Sequence, residues 1–160
     1  MAGWSAAEAP ACAAFPITDP AGCRMYRLFE HTADLGIRVE AATLAELFAD
    51  AARGLFTVIA GDLDQVRTTV AETFTVSGSD PTWLLFDYLG ELHAAFEVRR
   101  MLFREFAVTV TDDGLEATAR GEPYDPARHV LTHEVKAITQ HELAVDRDPG
   151  GCTATFIVDI

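Results

Sequence analysis

The pattern that indicates the fold starts in residues 26–61, YRLFEHTADLGIRVEAATLAELFADAARGLFTVIAG. Residues 26–30 and 35–41 have the short apolar pattern of β-strands, and a polar turn separates them. Residues 43–46, TLAE, form a capping box, in which Thr and a Glu three positions later satisfy the first free amides of a helix. Apolar side chains then recur at helical spacing until Gly61, where we expect the helix to end. The stretch therefore predicts two strands followed by a helix.

The remainder of the chain adds a second helix and a series of strands. Asp80 and Pro81 have the residue types of a helix N-cap and first helical position, and amphipathic spacing follows them. Residues 112–114, DDG, predict a hairpin turn. The further predicted strands are residues 66–76, 106–110, 115–120, 133–145 and 152–159. This order predicts an α+β fold, with two main helices packed on a mainly antiparallel β-sheet.

The length favours one folded domain, because 160 residues suit a single hydrophobic core. Residues 1–24 differ from the rest: they are rich in Ala and Pro and show no helical or strand periodicity. We therefore expect residues 1–24 to be a flexible tail and residues 25–160 to form the domain. Met25 opens the first strand-like run, and we hypothesise that it is the true initiator.

The charge is strongly negative, with 12 Lys and Arg against 25 Asp and Glu and a net charge of −13. Such a surface repels phosphate backbones and anionic lipids, which argues against a general nucleic-acid binder or a membrane-surface protein. Basic protein surfaces and cations are the expected partners. The three Cys residues have no metal or redox spacing, so we expect reduced thiols and a cytoplasmic protein.

No nucleophile motif, P-loop or dinucleotide-binding glycine motif is found in the sequence. The first informative feature is the turn at residues 31–34, HTAD, between the first two strands. Its residue types suit an Asx or Ser/Thr turn, in which Asp34 bonds its own backbone. The alternative is that Asp34 is an oxygen ligand for a hard cation.

The end of the sequence, Asp159 and Ile160, follows an apolar strand directly. The Asp159 side chain and an α-carboxylate on Ile160 are both ionised at pH 7. They are either solvated charges or, together with a third carboxylate such as Asp34, a site for a hard divalent cation. Oxygen ligands alone favour Ca²⁺ or Mg²⁺ over Zn²⁺.

Lys136 is the only Lys in a chain with eleven Arg. A position that keeps Lys can require a compact ammonium group rather than a planar guanidinium, although chance explains a single residue equally well. In the predicted strand, Glu134 and Lys136 share one face. The nearby histidines are most simply satisfied structural residues: His129, His133 and His141.

Taken together, these segments resemble the archease family. The resemblance runs from Met25 to Ile160 and rests on an ordered set of short motifs, each of which is weak alone. Two positions depart from the family pattern, Gly90 in place of the usual Asn and Gln140 in place of the usual aromatic residue. The matching motifs are FEHTADLGI (29–37), LFADAARGL (47–55), LGEL (89–92), GE (121–122), EVKAIT (134–139) with His141, and VDI (158–160).

The resemblance implies an accessory protein that activates the tRNA-splicing ligase, which joins 3′-phosphate or 2′,3′-cyclic phosphate RNA ends to 5′-hydroxyl ends. It implies assistance to guanylylation and to multiple turnover, with no catalysis of its own and with RNA contacted only through the ligase. The implied metal ligands are Asp34, Asp159 and Ile160, for calcium or another divalent cation. Lys136 corresponds to the family's functional lysine, and His31, Glu134 and His141 belong to the same motifs.

Two other functions are compatible with the same residues. A stand-alone metal-dependent phosphoesterase would use the same carboxylates, but the sequence offers no clear general base. A chaperone-like modulator of RNA-modifying enzymes would bind its partners without metal.

Overall fold

The computed structural model describes residues 16–18, 25–31 and 34–160. Only residues 16–18 of the predicted tail fall within this part, and they form a short strand that pairs with the next one. The rest of residues 1–24, including the region before Met25, lies outside the described residues.

Strands and two α-helices make up the described fold. The helices are α1 (Leu44–Ala60) and α2 (Pro81–Arg99), and a short 3₁₀ helix spans Leu63–Gln65. The strands, in chain order, are β1 (Pro16–Thr18), β2 (Met25–His31), β3 (Asp34–Ala41), β4 (Val70–Ser77), β5 (Met101–Thr111), β6 (Gly114–Pro123), β7 (Ala137–Ile138), β8 (Ala144–Asp148) and β9 (Gly151–Asp159).

The strands form two antiparallel sheets. The larger has six strands in the order β1-β2-β3-β9, and β7 and β8 both pair with the outer edge of β9. The smaller has three strands in the order β4-β6-β5. The predicted α+β class, with two main helices on mainly antiparallel sheet, is confirmed, but the sheet is divided in two. Helix α1 packs against β3 of the larger sheet and β5 of the smaller one.

Both helices start, and α1 ends, where the sequence predicts. The Thr43 hydroxyl accepts a hydrogen bond from the Glu46 amide at 3.2 Å, and the Asp80 carboxylate accepts one from the Thr82 amide at 2.8 Å. Gly61 ends α1 with φ 68°, a left-handed conformation that favours glycine. These caps satisfy amides and carbonyls that the helices leave without internal partners.

The core lies between the helices and the two sheets. Its largest fully buried side chains come from both helices, from β3 and β9 of the larger sheet and from β5 of the smaller one, and they include Phe48, Phe56, Leu85, Tyr88, Leu89, Leu92, Phe103, Ile37 and Phe156. No helix among the described residues is both long and apolar enough to cross a membrane.

The prediction of one long strand over residues 133–145 is wrong. The chain has only the short strands β7 and β8 there, separated by a turn in which the Leu143 amide donates to the Gln140 carbonyl. Glu142 in this turn has φ 53°, which no β-strand residue adopts. Both strands pair with β9, so five residues, 139–143, lie opposite only Phe156 and Ile157. Apolar spacing alone does not reveal such an interruption.

The other strand predictions differ from the structure only in their ends. The strand predicted over residues 66–76 begins later, at Val70, because the 3₁₀ helix occupies the preceding segment. The hairpin turn at residues 112–113 is confirmed between β5 and β6.

Candidate functional site

Asp34 and Asp159 lie directly opposite each other in the larger sheet. Asp34 is the first residue of β3 and Asp159 the last residue of β9, and the antiparallel register pairs them. Residues paired in this way point to the same face of the sheet, with Cα atoms about 4.5–5.5 Å apart. The beginning and end of the predicted domain therefore meet, as the proposed cation site requires.

This carboxylate pair has an unbalanced charge in the described part of the protein. Both residues are half-buried, and neither side chain makes a hydrogen bond or salt bridge to a described residue. Like charges directly opposite each other destabilise a strand pair. A cation between them would remove that repulsion and gain two oxygen ligands.

Lys136 lies beside the same pair. Its backbone amide donates to the Asp159 carbonyl at 2.8 Å, and its side-chain Nζ donates to the Ile160 main-chain oxygen at 3.4 Å. Lys136 directly precedes β7, whose first residue, Ala137, pairs with Asp159. We call the group of Asp34, Lys136, Asp159 and Ile160 the carboxylate edge.

His93 on α2 supports the segment before Lys136, a role that no sequence pattern indicated. Its ring Nε2 lies 2.7 Å from the carbonyl oxygen of Val135. A carbonyl only accepts, so Nε2 carries the proton and donates. The Val135 side chain is buried, with 2% of its surface exposed, which also fixes this segment.

The other predicted site residues, His31, Glu134 and His141, are not part of the carboxylate edge. The His31 backbone pairs with Asp34 in the β2–β3 register, but its side chain lies outside what the structure describes. Glu134 precedes β7 rather than lying on a strand, but Glu134 and Lys136 are both exposed while Val135 between them is buried, which is the alternation that was predicted. His141 is exposed, in the turn between β7 and β8.

The donors at the carboxylate edge suit a hard cation, but they do not enclose one. Among the described residues there is no group of three or more His, Cys, Asp or Glu side chains that could hold a metal ion. The edge supplies two carboxylate side chains and the main-chain oxygen of Ile160. Ca²⁺ takes six to eight oxygen ligands, so water or a partner's oxygen atoms would complete its coordination.

A second cluster, around Glu122, is buried and was not predicted from spacing. Its carboxylate accepts hydrogen bonds from the Arg67 amide at 2.9 Å, from Arg128 at 2.5 Å and from His129 Nε2 at 2.8 Å. The Asp125 amide donates to Nδ1 of His129, so the imidazole is held neutral with its proton on Nε2. His129 is thus a satisfied structural residue, as expected.

The pKa of Glu122 reflects these contacts. Burial alone would raise the pKa, because it penalises the charged carboxylate. The hydrogen bonds from Arg128, Arg67 and His129 outweigh burial and lower the pKa of Glu122 to about 2. The cluster holds the loop after β6 in place. All of the hydrogen-bond donors to Glu122 belong to this protein, so the role of the cluster is structural.

Comparisons with known proteins agree on one family. The Archease protein family (MTH1598/TM1083) matches residues 26–160. Protein archease of Methanopyrus kandleri is 42% identical over 135 residues, which covers 82% of this chain and 96% of that protein. Protein archease of Pyrococcus abyssi is 38% identical over 127 residues, covering 77% of this chain and 89% of that protein.

Solved structures have the same fold. The solution structure of Methanobacterium thermoautotrophicum protein 1598 has a TM-score of 0.74 at 31% identity and covers 84% of this chain and 98% of that chain. The crystal structure of a Thermotoga maritima archease, described as a possible chaperone, has a TM-score of 0.57 at 19% identity and covers 82% of this chain and 94% of that chain. The α+β fold is thus that of small proteins of the archease type. The chain belongs to the archease family.

Proposed function

We propose that this protein is a non-catalytic activator of the RNA ligase that joins 3′-phosphate or 2′,3′-cyclic phosphate ends to 5′-hydroxyl ends in tRNA splicing. It assists guanylylation of the ligase and allows multiple turnover. The single observation that carries the proposal is the convergence of Asp34, Asp159 and Lys136. The family membership supplies the expectation of a ligase partner.

The carboxylates of Asp34 and Asp159, with an α-carboxylate on Ile160, are the proposed ligands of calcium or another divalent cation. A cation held by these residues would supply positive charge that can offset phosphate charge at the ligase. Lys136 adds an ammonium beside it, held by the main-chain bond to Asp159. The incomplete coordination at this edge favours a site that is shared with the partner rather than closed within this protein.

The net charge supports docking on the ligase rather than on RNA. A chain of −13 is repelled by an RNA backbone, whereas an RNA-binding enzyme presents basic surface. The protein would therefore contact RNA only indirectly, through the ligase.

The test is ligase turnover with purified components. We expect this protein to convert the ligase from a single round to repeated rounds, and a chelator to remove the effect. Asp34→Ala should abolish activation, while Asp146→Ala, an exposed carboxylate on β8 of the same sheet, should retain it. A variant with one Gly added after Ile160 tests the α-carboxylate, because the extension moves that charge away from Lys136.

The alternatives give different results in the same assay. Full activation by Asp34→Ala and in chelator would exclude the metal site and favour a chaperone-like modulator. Release of product from a generic phosphodiester by this protein alone, with Mg²⁺ or Mn²⁺, would favour a phosphoesterase.

A further inference from the structure

The smaller sheet has an edge strand whose outer side is not paired. In the order β4-β6-β5, β4 pairs with β6, and no other described strand pairs with it. An unpaired edge presents main-chain N–H and C=O groups that can pair with a strand from another chain. Natural proteins usually protect such edges with Lys, Pro or a bulge. The eight residues of β4, VAETFTVS, contain neither Lys nor Pro, and the register shift of this sheet lies in β5.

A groove lies between this strand and helix α2. Its volume is 390 Å³, and it is lined by Thr75, Val76 and Ser77 from β4 and by Phe86, Asp87, Gly90 and Glu91 from α2. We call it the β4–α2 groove. Gly90 keeps it open, because a Cβ built there would meet no atom within 4 Å. A methyl group at this position would fit in open space, whereas a large side chain would fill the groove.

The rim of the groove is acidic and its floor is partly aromatic. Asp87 is exposed, as is Glu91 four residues later, and neither makes a hydrogen bond or salt bridge to a described residue. Carboxylates at this spacing repel each other on a helix. The Phe86 ring packs edge-on against Trp83, with 5.9 Å between centroids, and half of the Trp83 surface is exposed. Exposed aromatic residues beside charged groups are typical of protein interfaces.

The only charged residue of β4 is not available to repel a partner strand. Glu72 is held in a salt bridge with Arg99, at 2.5 Å, at the end of α2. The side chains of β4 thus leave no unpaired charge to repel a partner strand, while the facing helix presents two exposed carboxylates that make no hydrogen bond or close ion pair to a described residue. These features together select an extended ligand with basic side chains.

We propose that the β4–α2 groove binds an extended basic segment of a partner protein, which adds to β4 as a further strand while its Arg or Lys side chains contact Asp87 and Glu91. Strand addition supplies main-chain hydrogen bonds, and pockets for alternate side chains supply specificity. A second copy of this chain would bring another −13 and the same acidic rim, which disfavours self-association. The groove uses no residue of the carboxylate edge, so the inference goes beyond the proposed function and does not depend on it.

The test is an NMR titration of the ¹⁵N-labelled full chain with a synthetic peptide of alternating Arg and Val. We expect saturable amide shifts concentrated in β4 and in the first half of α2. A matched peptide with Glu in place of each Arg should give none. Gly90→Trp fills the groove and should weaken binding by about tenfold or more. Gly90→Ala should leave the affinity unchanged.

Charge is tested separately from shape. The double reversal Asp87→Lys with Glu91→Lys should remove binding of the Arg peptide, while Glu105→Lys, an exposed residue on β5 at the other edge of the same sheet, should retain it. The spectra of the free variants show whether each one is folded.

Three results would overturn the proposal. The first is the absence of saturable shifts, or shifts that centre on another surface. The second is equal binding of the Glu peptide, or unchanged binding by Gly90→Trp. The third is concentration-dependent dimerisation of the chain that Gly90→Trp abolishes, which would assign the groove to a second copy.

Discussion

Single residues in this protein have different functions even where their side chains are alike. Asp34 and Asp159 face each other, and neither carboxylate makes a hydrogen bond or ion pair to a described residue, so a cation that binds between them would relieve their repulsion. Glu122 is also a carboxylate, but three donors of the protein itself surround it. A carboxylate pair without hydrogen-bond donors is suited to binding a ligand, whereas a carboxylate whose oxygens accept several hydrogen bonds is suited to stabilising the fold.

At this scale we predict that Glu122 makes the protein sensitive to acid. Because the pKa of Glu122 is lowered to about 2 in the folded state, its contribution to stability is fully present above the unfolded value of 4.5 and is lost as the pH falls toward 2. The loss amounts to about 3 kcal/mol in the free energy of unfolding. Urea unfolding of the wild type between neutral pH and pH 2 measures it.

Glu122→Gln provides the comparison, because it keeps the shape but cannot ionise. The variant should be less stable at neutral pH, and it should lose less stability than the wild type as the pH falls. Glu116→Gln, at an exposed position of β6, should retain the wild-type decline. Parallel curves for Glu122→Gln and the wild type would contradict the assigned role of Glu122.

At the scale of elements, the ends of the helices were predictable because each depends on a few neighbouring residues. The Thr43 cap, the Asp80 cap and the glycine at position 61 all act within one turn of the chain. The interruption between β7 and β8 was not predictable in this way. It depends on how residues 139–143 fit opposite Phe156 and Ile157, which are distant in sequence.

Two Gly to Ala substitutions test the prediction for α1. Gly61 has φ 68°, and a Cβ built there would lie 2.6 Å from the Thr132 hydroxyl oxygen, so Gly61→Ala should destabilise the protein by about 1–2 kcal/mol. Gly90 lies within α2 and has open space beside it, so Gly90→Ala should stabilise by up to about 1 kcal/mol. Thermal unfolding of both variants measures the difference. Equal effects of the two substitutions would contradict the assigned left-handed cap.

At the scale of the whole molecule, helix α1 connects the two sheets, because it packs on β3 of the larger sheet and on β5 of the smaller one. The carboxylate edge and the β4–α2 groove are formed by different sheets. The excess of acidic residues gives the molecule a net negative field, which acts on a charged partner before any residue makes contact.

This field predicts a dependence of activation on salt. The protein should reach half-maximal ligase activation at a concentration that rises several-fold between low and physiological ionic strength, because salt screens the attraction to a basic partner. The rate of the ligase alone at each salt concentration is the control. Activation that does not change with salt would show that charge steering does not guide the docking.

The sequence by itself determined the class of fold, the starts of both helices, the end of α1 and the residue types at the carboxylate edge, since these follow from periodicity and from neighbours within a turn. It also indicated Asp34, Lys136 and Asp159 as candidates for one site, but it could not establish that they lie together. Only the tertiary structure decided that β3 and β9 pair in the register that places Asp34 opposite Asp159, and that His93 holds the segment before Lys136. Strand pairing joins residues more than a hundred positions apart, and its register is set by the packing of the whole core rather than by any local pattern.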